Sequence, residues 1–231
     1  MDEREDQLTE VMQVATEAGH IMLENGAEIF RVEETMERIT RHYGIDSGHF
    51  FVLSNGILTS GGTRYSNVEF IPFKGAQLEK VVAVNRLSRE IEKGGCSIQE
   101  ARERLFEIKT MKAKPFMEQV MGSAVGSGAF CAIFGGSYLD CAASFVTGLL
   151  LYVFVLLVSR RGMSKIVTNI LGSILATALS VLFMRIGFGE HPGNMIIGSL
   201  IPLIPGVPFT NGIRDLANED YIAGSTRMID A

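Results

Sequence analysis

Through the first half of the chain, apolar residues recur every three or four positions between charged ones; through the second half, charges almost vanish. Leu8, Val11, Met12, Ala15, Ala18 and Met22 fall on one stripe and predict a helix over 5–25. Ile29, Val32, Met36, Ile39 and Tyr43 repeat the pattern over 26–44, where Gly44 supplies a stop. Two strands follow, 49–59 and 64–73, joined by a turn around Ser60–Gly62 into a two-stranded hairpin. A helix over 77–93 closes at Gly94 and Gly95, and Ser97 with Glu100 forms a capping box for a helix over 98–111.

Beyond position 114 the pattern changes. The intervals 119–139, 141–159, 166–184 and 192–213 contain no Asp, Glu, Lys or Arg. Each is about long enough to cross a ~30 Å hydrocarbon core as a helix. The expected architecture is therefore an α-helical membrane protein with about four transmembrane helices, preceded by a small cytoplasmic α+β domain with a two-stranded hairpin. The domain boundary falls between 114 and 115, with spans near 117–136, 140–159, 166–185 and 193–210 and the start of a fifth at 221–231.

The last of these intervals is the least like an ordinary helix. SLIPLIPGVPFTNGIRDL holds Pro202, Pro205 and Pro208, three of the six prolines in the 231-residue chain, and runs into Thr210, Asn211, Arg214 and Asp215. Proline removes a backbone donor and clashes with the preceding turn. In lipid, broken helices survive only against protein or a wet cavity, and many secondary carriers build solute sites from them. Pro205, Gly206, Thr210, Asn211, Arg214 and Asp215 are thus candidates for a substrate path, with Arg214 suited to a carboxylate and Asp215 to pairing with it or accepting a proton. A helix that simply breaks at the membrane surface is the competing reading.

Charge orients the spans. Lys109, Lys112 and Lys114 precede the first, and Arg160, Arg161 and Lys165 lie between the second and third. Short basic loops stay cytoplasmic, which puts the amino terminus inside the cell. The opening MDEREDQLTE is acidic and lacks an apolar core, so no cleavable signal peptide is expected. A net charge of −5 without a basic cluster argues against nucleic acid as a partner.

The remaining features are ambiguous or silent. Cys96, Cys131 and Cys141 suit reduced apolar filler. The four histidines lack metal-ligand spacing and no GxSxG, Walker or GxGxxG motif occurs, so no metal, cofactor or catalytic residue is expected. Glu28, Arg31, Glu33 and Glu34 read as a solvated face or as a functional cluster. Gly122 and Gly126 make a GxxxG pair expected to pack helices. Asn169 either bonds a neighbouring helix or faces a polar cavity, and Asp140 is either an interfacial carboxylate or a proton carrier.

GAEIFRVEETMERITRHYG, VNRLSREIEKGGCSIQEARERLFEI, PGVPFTNGIRDL and AGSTRMIDA, in that order, resemble the threonine/serine exporter family. The resemblance covers nearly the whole chain and is strongest to the amino-terminal component of split versions, which include a two-component succinate exporter. It implies an inner-membrane exporter of small carboxylate solutes, coupled to the proton gradient, with a second small multi-span membrane protein as partner; a homo-oligomer also stays open. The family motif positions fall on Glu28, Arg31 and Glu33, and on Pro205, Gly206, Asn211, Arg214 and Asp215. Family members continue into another hydrophobic helix where this sequence stops at Ala231, so either the chain is truncated or that helix comes from elsewhere. A membrane-anchored hydrolase and a membrane sensor or scaffold, each using 1–114, are the alternatives.

Overall fold

The computed structural model describes residues 2–62 and 65–231, and its packing divides the chain into two compact units. One comprises Met1–Ala113 together with Gly206–Ala231; the other is Lys114–Pro205.

In the first unit, α1 (Asp2–Glu24), α2 (Ile29–His42), α3 (Leu78–Glu92) and α4 (Ile98–Thr110) follow the predicted periodicity closely. Their apolar stripes meet in one core, with Ala18, Met22, Val32, Met36, Leu87, Ile91 and Leu105 buried. Each large side chain so buried contributes roughly 1.5–3 kcal/mol relative to exposure. The expected capping box is formed: Ser97 Oγ accepts from the Glu100 amide, and the Glu100 carboxylate accepts from the Ser97 amide at 2.8 Å.

The sheet corrects the two-stranded expectation. Three antiparallel strands, β1 (Gly48–Leu53), β2 (Gly56–Gly61) and β3 (Tyr65–Phe70), lie in sequence order. The apolar run taken as one strand over 49–59 turns through Ser54 and Asn55, with Leu53 opposite Gly56. Gly56 makes this work, because a Cβ there would lie 2.9 Å from the Glu69 carbonyl oxygen of β3. The first residue of the expected second strand, Arg64, lies outside the described residues.

The same unit contains α9 (Gly206–Ala217) and α10 (Tyr221–Asp230), which pack on each other as a tight pair. A Cβ on Gly224 would sit 2.9 Å from the Gly212 carbonyl oxygen, so the two backbones touch at these glycines. Ala223 of α10 belongs to the same buried core as α1 and α2.

The second unit is a helical bundle of α5 (Phe116–Ile133), α6 (Tyr138–Ser159), α7 (Lys165–Arg185) and the short α8 (Pro192–Leu200), which ends in a 3-10 turn over Ile201–Leu203. Among the described residues α6 and α7 are long and apolar enough to cross a membrane; a third span results if α8 and α9 count as one broken crossing. The interval 193–210 is thus not a continuous helix. Ile204, which precedes Pro205, is extended at φ −75°, ψ 123°, the conformation that proline imposes on its predecessor. Pro208 falls in the first turn of α9, where its missing N–H is tolerated.

Close contacts in this bundle run through small residues, though not the expected pair. Nothing lies within 4 Å of a Cβ built on Gly122 or Gly126. Instead Ser123 Oγ donates to the Gly148 carbonyl at 3.1 Å, and Gly198 faces the Ser127 carbonyl oxygen, which a Cβ would approach to 2.7 Å. GxxxG marks a face able to pack, and here the neighbouring serine face does so.

Candidate functional site

The candidate residues of the first unit gather where α2 begins. Gly26, at φ +85°, turns the chain out of α1, and Glu28 occupies the N-cap of α2 without its side chain capping the first amides of the helix. Its carboxylate reaches outward instead, to Arg31 Nε at 3.4 Å and to the Arg214 guanidinium of α9. Arg31 and Arg214 are each about half exposed, while Glu28 is largely buried between them.

The turn itself is gripped from the other side. Asn211 Nδ2 donates to the Gly26 carbonyl at 2.8 Å, and Arg227 Nη2 of α10 donates to the Ala27 carbonyl, also at 2.8 Å. Arg227 Nε lies 3.4 Å from Asp215 Oδ2, and the Asp215 carboxylate faces the Ile29 amide at the start of α2. A carboxylate in that place complements the unpaired amides and positive dipole of a helix N-terminus, which the Glu28 side chain leaves uncapped.

Above this anchor lies an open groove of about 490 Å³, lined by Glu28, Arg31, Gly206, Thr210, Asn211 and the apolar Val82 among others. A smaller cavity of about 50 Å³ between Phe73, Pro208, Asn211 and Arg227 adjoins the same turn. The groove combines an apolar wall with the exposed Arg31 guanidinium and Thr210 hydroxyl, while the Asn211 amide at its edge is buried against the Gly26 carbonyl. That chemistry suits a small anion such as a carboxylate. Among the described residues no three His, Cys, Asp or Glu side chains cluster as for a metal.

The expected residues therefore divide. Glu28, Arg31, Gly206, Thr210 and Asn211 share one groove, and Arg214 reaches it through Glu28. Asp215 is not the partner of Arg214: adjacent helical residues point about 100° apart, so Arg214 meets Glu28 while Asp215 turns inward to Arg227. Glu33, five residues after Glu28, lies about 140° round α2 and accepts from the Val52 amide of β1 at 3.1 Å. Burial pushes the Glu33 carboxyl above the ordinary range, with Asp220 and Glu37 adding to the effect and the Val52 bond opposing it. Pro205 ends the other unit and acts there on the backbone.

Arg227 was not among the sequence candidates. Its signal lay in the AGSTRMIDA stretch, but nothing in linear spacing ties that arginine to residue 27. In the second unit, Asp140 lies at the start of α6 and completes a capping box with Ser137. It is fully buried and accepts from the amides of Ser137 (2.8 Å), Glu190 (2.7 Å) and His191 (3.0 Å), with the His191 ring Nδ1 at 2.9 Å.

Comparison with known proteins bears on these arrangements. A family model described as "Putative threonine/serine exporter" matches residues 13–231. The "Threonine/serine exporter" of Corynebacterium glutamicum is 22% identical over 97% of this chain, which covers 48% of that protein. The "Probable succinate transporter subunit YjjP" of Klebsiella aerogenes is 23% identical over 89% of the chain and 81% of its own length. The protein of that name from Escherichia coli is 21% identical over 96% and 88%. The chain thus spans about half of the long exporter and most of the shorter subunits. No solved structure matches.

Proposed function

The chain belongs to the threonine/serine exporter family, whose members are membrane transporters rather than enzymes, and from that premise we propose that it is one subunit of an exporter of small carboxylate metabolites. The solute class comprises threonine, serine or a dicarboxylate such as succinate. The subunit sits in the inner membrane with its amino terminus in the cytoplasm, has about four crossings, counting α5 and the broken α8–α9 pair, and works with a second small multi-span protein. A membrane-anchored hydrolase is set aside by the family.

One observation carries the reading: the Glu28 carboxylate is held between Arg31 and Arg214 beside a groove lined by Thr210 and Asn211. Glu28 occupies the place that a solute carboxylate would take. An incoming carboxylate competes for the same guanidiniums, whose planar forks fit such groups bidentately. The export cycle is coupled to the proton gradient across the membrane.

The test is efflux of labelled serine, threonine and succinate from loaded cells carrying the chain and its partner protein. Arg31→Ala should lower efflux at least about tenfold, the equivalent of a single charge-assisted contact of ~1.4 kcal/mol, while the protein accumulates normally. Unchanged efflux of all three solutes by Arg31→Ala and Arg214→Ala, at equal protein levels, would remove this assignment.

A further inference from the structure

We propose that one ridge of α7, running through Asn169, Ser173, Thr177 and Arg185, is the face on which a membrane-spanning helix of a second polypeptide docks. The inference rests on the subunit reading above and names the surface that reading uses.

Rows of residues at i, i+4 spacing run along α7, and their environments differ. Thr168, Gly172, Ala176 and Ser180 form the row buried in the bundle. Its hydroxyls are satisfied internally, Thr168 Oγ1 donating to the Ser164 carbonyl at 3.0 Å and Ser180 Oγ to the Ala176 carbonyl at 2.9 Å. Ile166, Ile170, Ile174 and Leu182 form a second row, exposed and wholly apolar, as suits contact with lipid chains. The row of Asn169, Ser173, Thr177, Val181 and Arg185 lies one residue on from the buried row, is exposed or half-exposed, and has Val181 as its one apolar member. Among the described residues none of its four polar side chains has a hydrogen bond or ion pair.

Such a row does not suit hydrocarbon. An amide or hydroxyl left unpaired in an apolar medium costs several kcal/mol, about 4–8 on a water-to-cyclohexane scale, and membrane helices meet that demand by hydrogen bonding across to a neighbour. A shallow concavity of about 700 Å³ runs between Ser173 and Arg185, bounded on its far side by Ile174 and Leu182, and Ala178 leaves room in it for another backbone. Rows at this spacing are also the ridges that fit the grooves of a facing helix.

The lengths of the relatives favour a membrane partner over a second copy. This chain covers 48% of the Corynebacterium glutamicum exporter, so that protein carries as much chain again. It covers 81–88% of relatives whose name includes the word subunit. The occupant is accordingly a span of a different membrane protein. It presents small or hydroxyl side chains at i, i+4 spacing, and an acidic side chain at the end that meets Arg185.

The test uses the full chain in its own membrane. A photoreactive benzophenone side chain is placed at position 173 or 177, and for control at 171 or 175, which at about 100° per residue fall on the opposite flank of α7. Crosslinks from 173 and 177, but not from the controls, should join a multi-span membrane protein other than this chain. Ser173→Leu and Thr177→Leu should each lower the yield at the remaining site roughly three- to fifteenfold, the range of a single interhelical polar contact. Crosslinks to that protein from 171 and 175 instead would overturn the face while leaving the subunit reading intact. Crosslinks only between two differently tagged copies, or only to lipid, would overturn the proposal itself.

Discussion

Arg227 and Asp215 form an ion pair between α10 and α9, Nε to Oδ2 at 3.4 Å, with both side chains almost wholly removed from solvent. Breaking such a pair from one side leaves a buried charge without compensation, at about 3–5 kcal/mol. Asp215→Ala should therefore lower the thermal midpoint of the detergent-purified protein sharply. Arg227→Met combined with Asp215→Asn should lower it by much less than the sum of the single changes. Additive losses in that double-mutant cycle would show that the two residues act independently.

Asn211 joins α9 to the turn at Gly26 through a buried hydrogen bond. Asn211→Ala leaves the Gly26 carbonyl without that donor, at about 1–3 kcal/mol. Efflux should fall and limited proteolysis should cut the 25–28 turn faster, while the protein still inserts in the membrane. Wild-type cleavage kinetics in the variant would count against the clasp.

Glu33 yields a pH signature. Burial raises its carboxyl in the folded protein, so the folded state binds a proton more tightly than the unfolded chain does. Its contribution is fully present below the unfolded value, roughly pH 4.3, and is lost as pH rises through the raised folded value. Glu33→Gln keeps the acceptor for the Val52 amide and removes the charge. Denaturation midpoints should rise in the variant at pH 7 and match wild type near pH 4. A variant less stable at pH 7 would refute the sign.

Gly224 tests how closely α9 and α10 approach. A methyl group there would lie 2.6 Å from Leu216 Cγ and 2.9 Å from the Gly212 carbonyl oxygen. Backbone cannot yield as a flexible side-chain tip can, so Gly224→Ala should destabilise by about 1–3 kcal/mol. Gly122→Ala, with open space around it, should leave the melting temperature of the isolated chain unchanged. Equal effects of the two substitutions would contradict the packing described.

Asp140 holds the loop before α8 to the start of α6 through the amides of Glu190 and His191. Asp140→Ala orphans those donors and the Ser137 amide, at about 1–3 kcal/mol each. Little full-length protein should accumulate, whereas Asp140→Asn, which retains an acceptor oxygen, should be milder. Normal accumulation of Asp140→Ala would show that the loop has other support.

The helices of the amino-terminal half were legible because each buries one face, and the spacing of Ile29, Val32, Met36 and Ile39 records that face directly. The capping box at Ser97 was legible for the same reason: both partners lie within one turn. The division of 49–59 into two strands was harder to read, since the demand for Gly56 comes from Glu69 on a strand not yet reached. In the second half, absence of charge marked apolar segments but not which of their faces would be covered, so Gly122 and Gly126 were read as packed and are open.

The sequence by itself determined composition-level properties: a charged, amphipathic half, an apolar half, and a proline-broken segment that ends in Asn211, Arg214 and Asp215. These follow from local periodicity and from the backbone limits of proline. Tertiary structure alone decided that Arg214 meets Glu28, that Asp215 meets Arg227, and that Asn211 holds Gly26, contacts separated by up to 186 residues for the first and 185 for the last. The reason is physical: a hydrogen bond or ion pair requires a few ångströms of proximity, and nothing in linear spacing encodes which distant turn will arrive there.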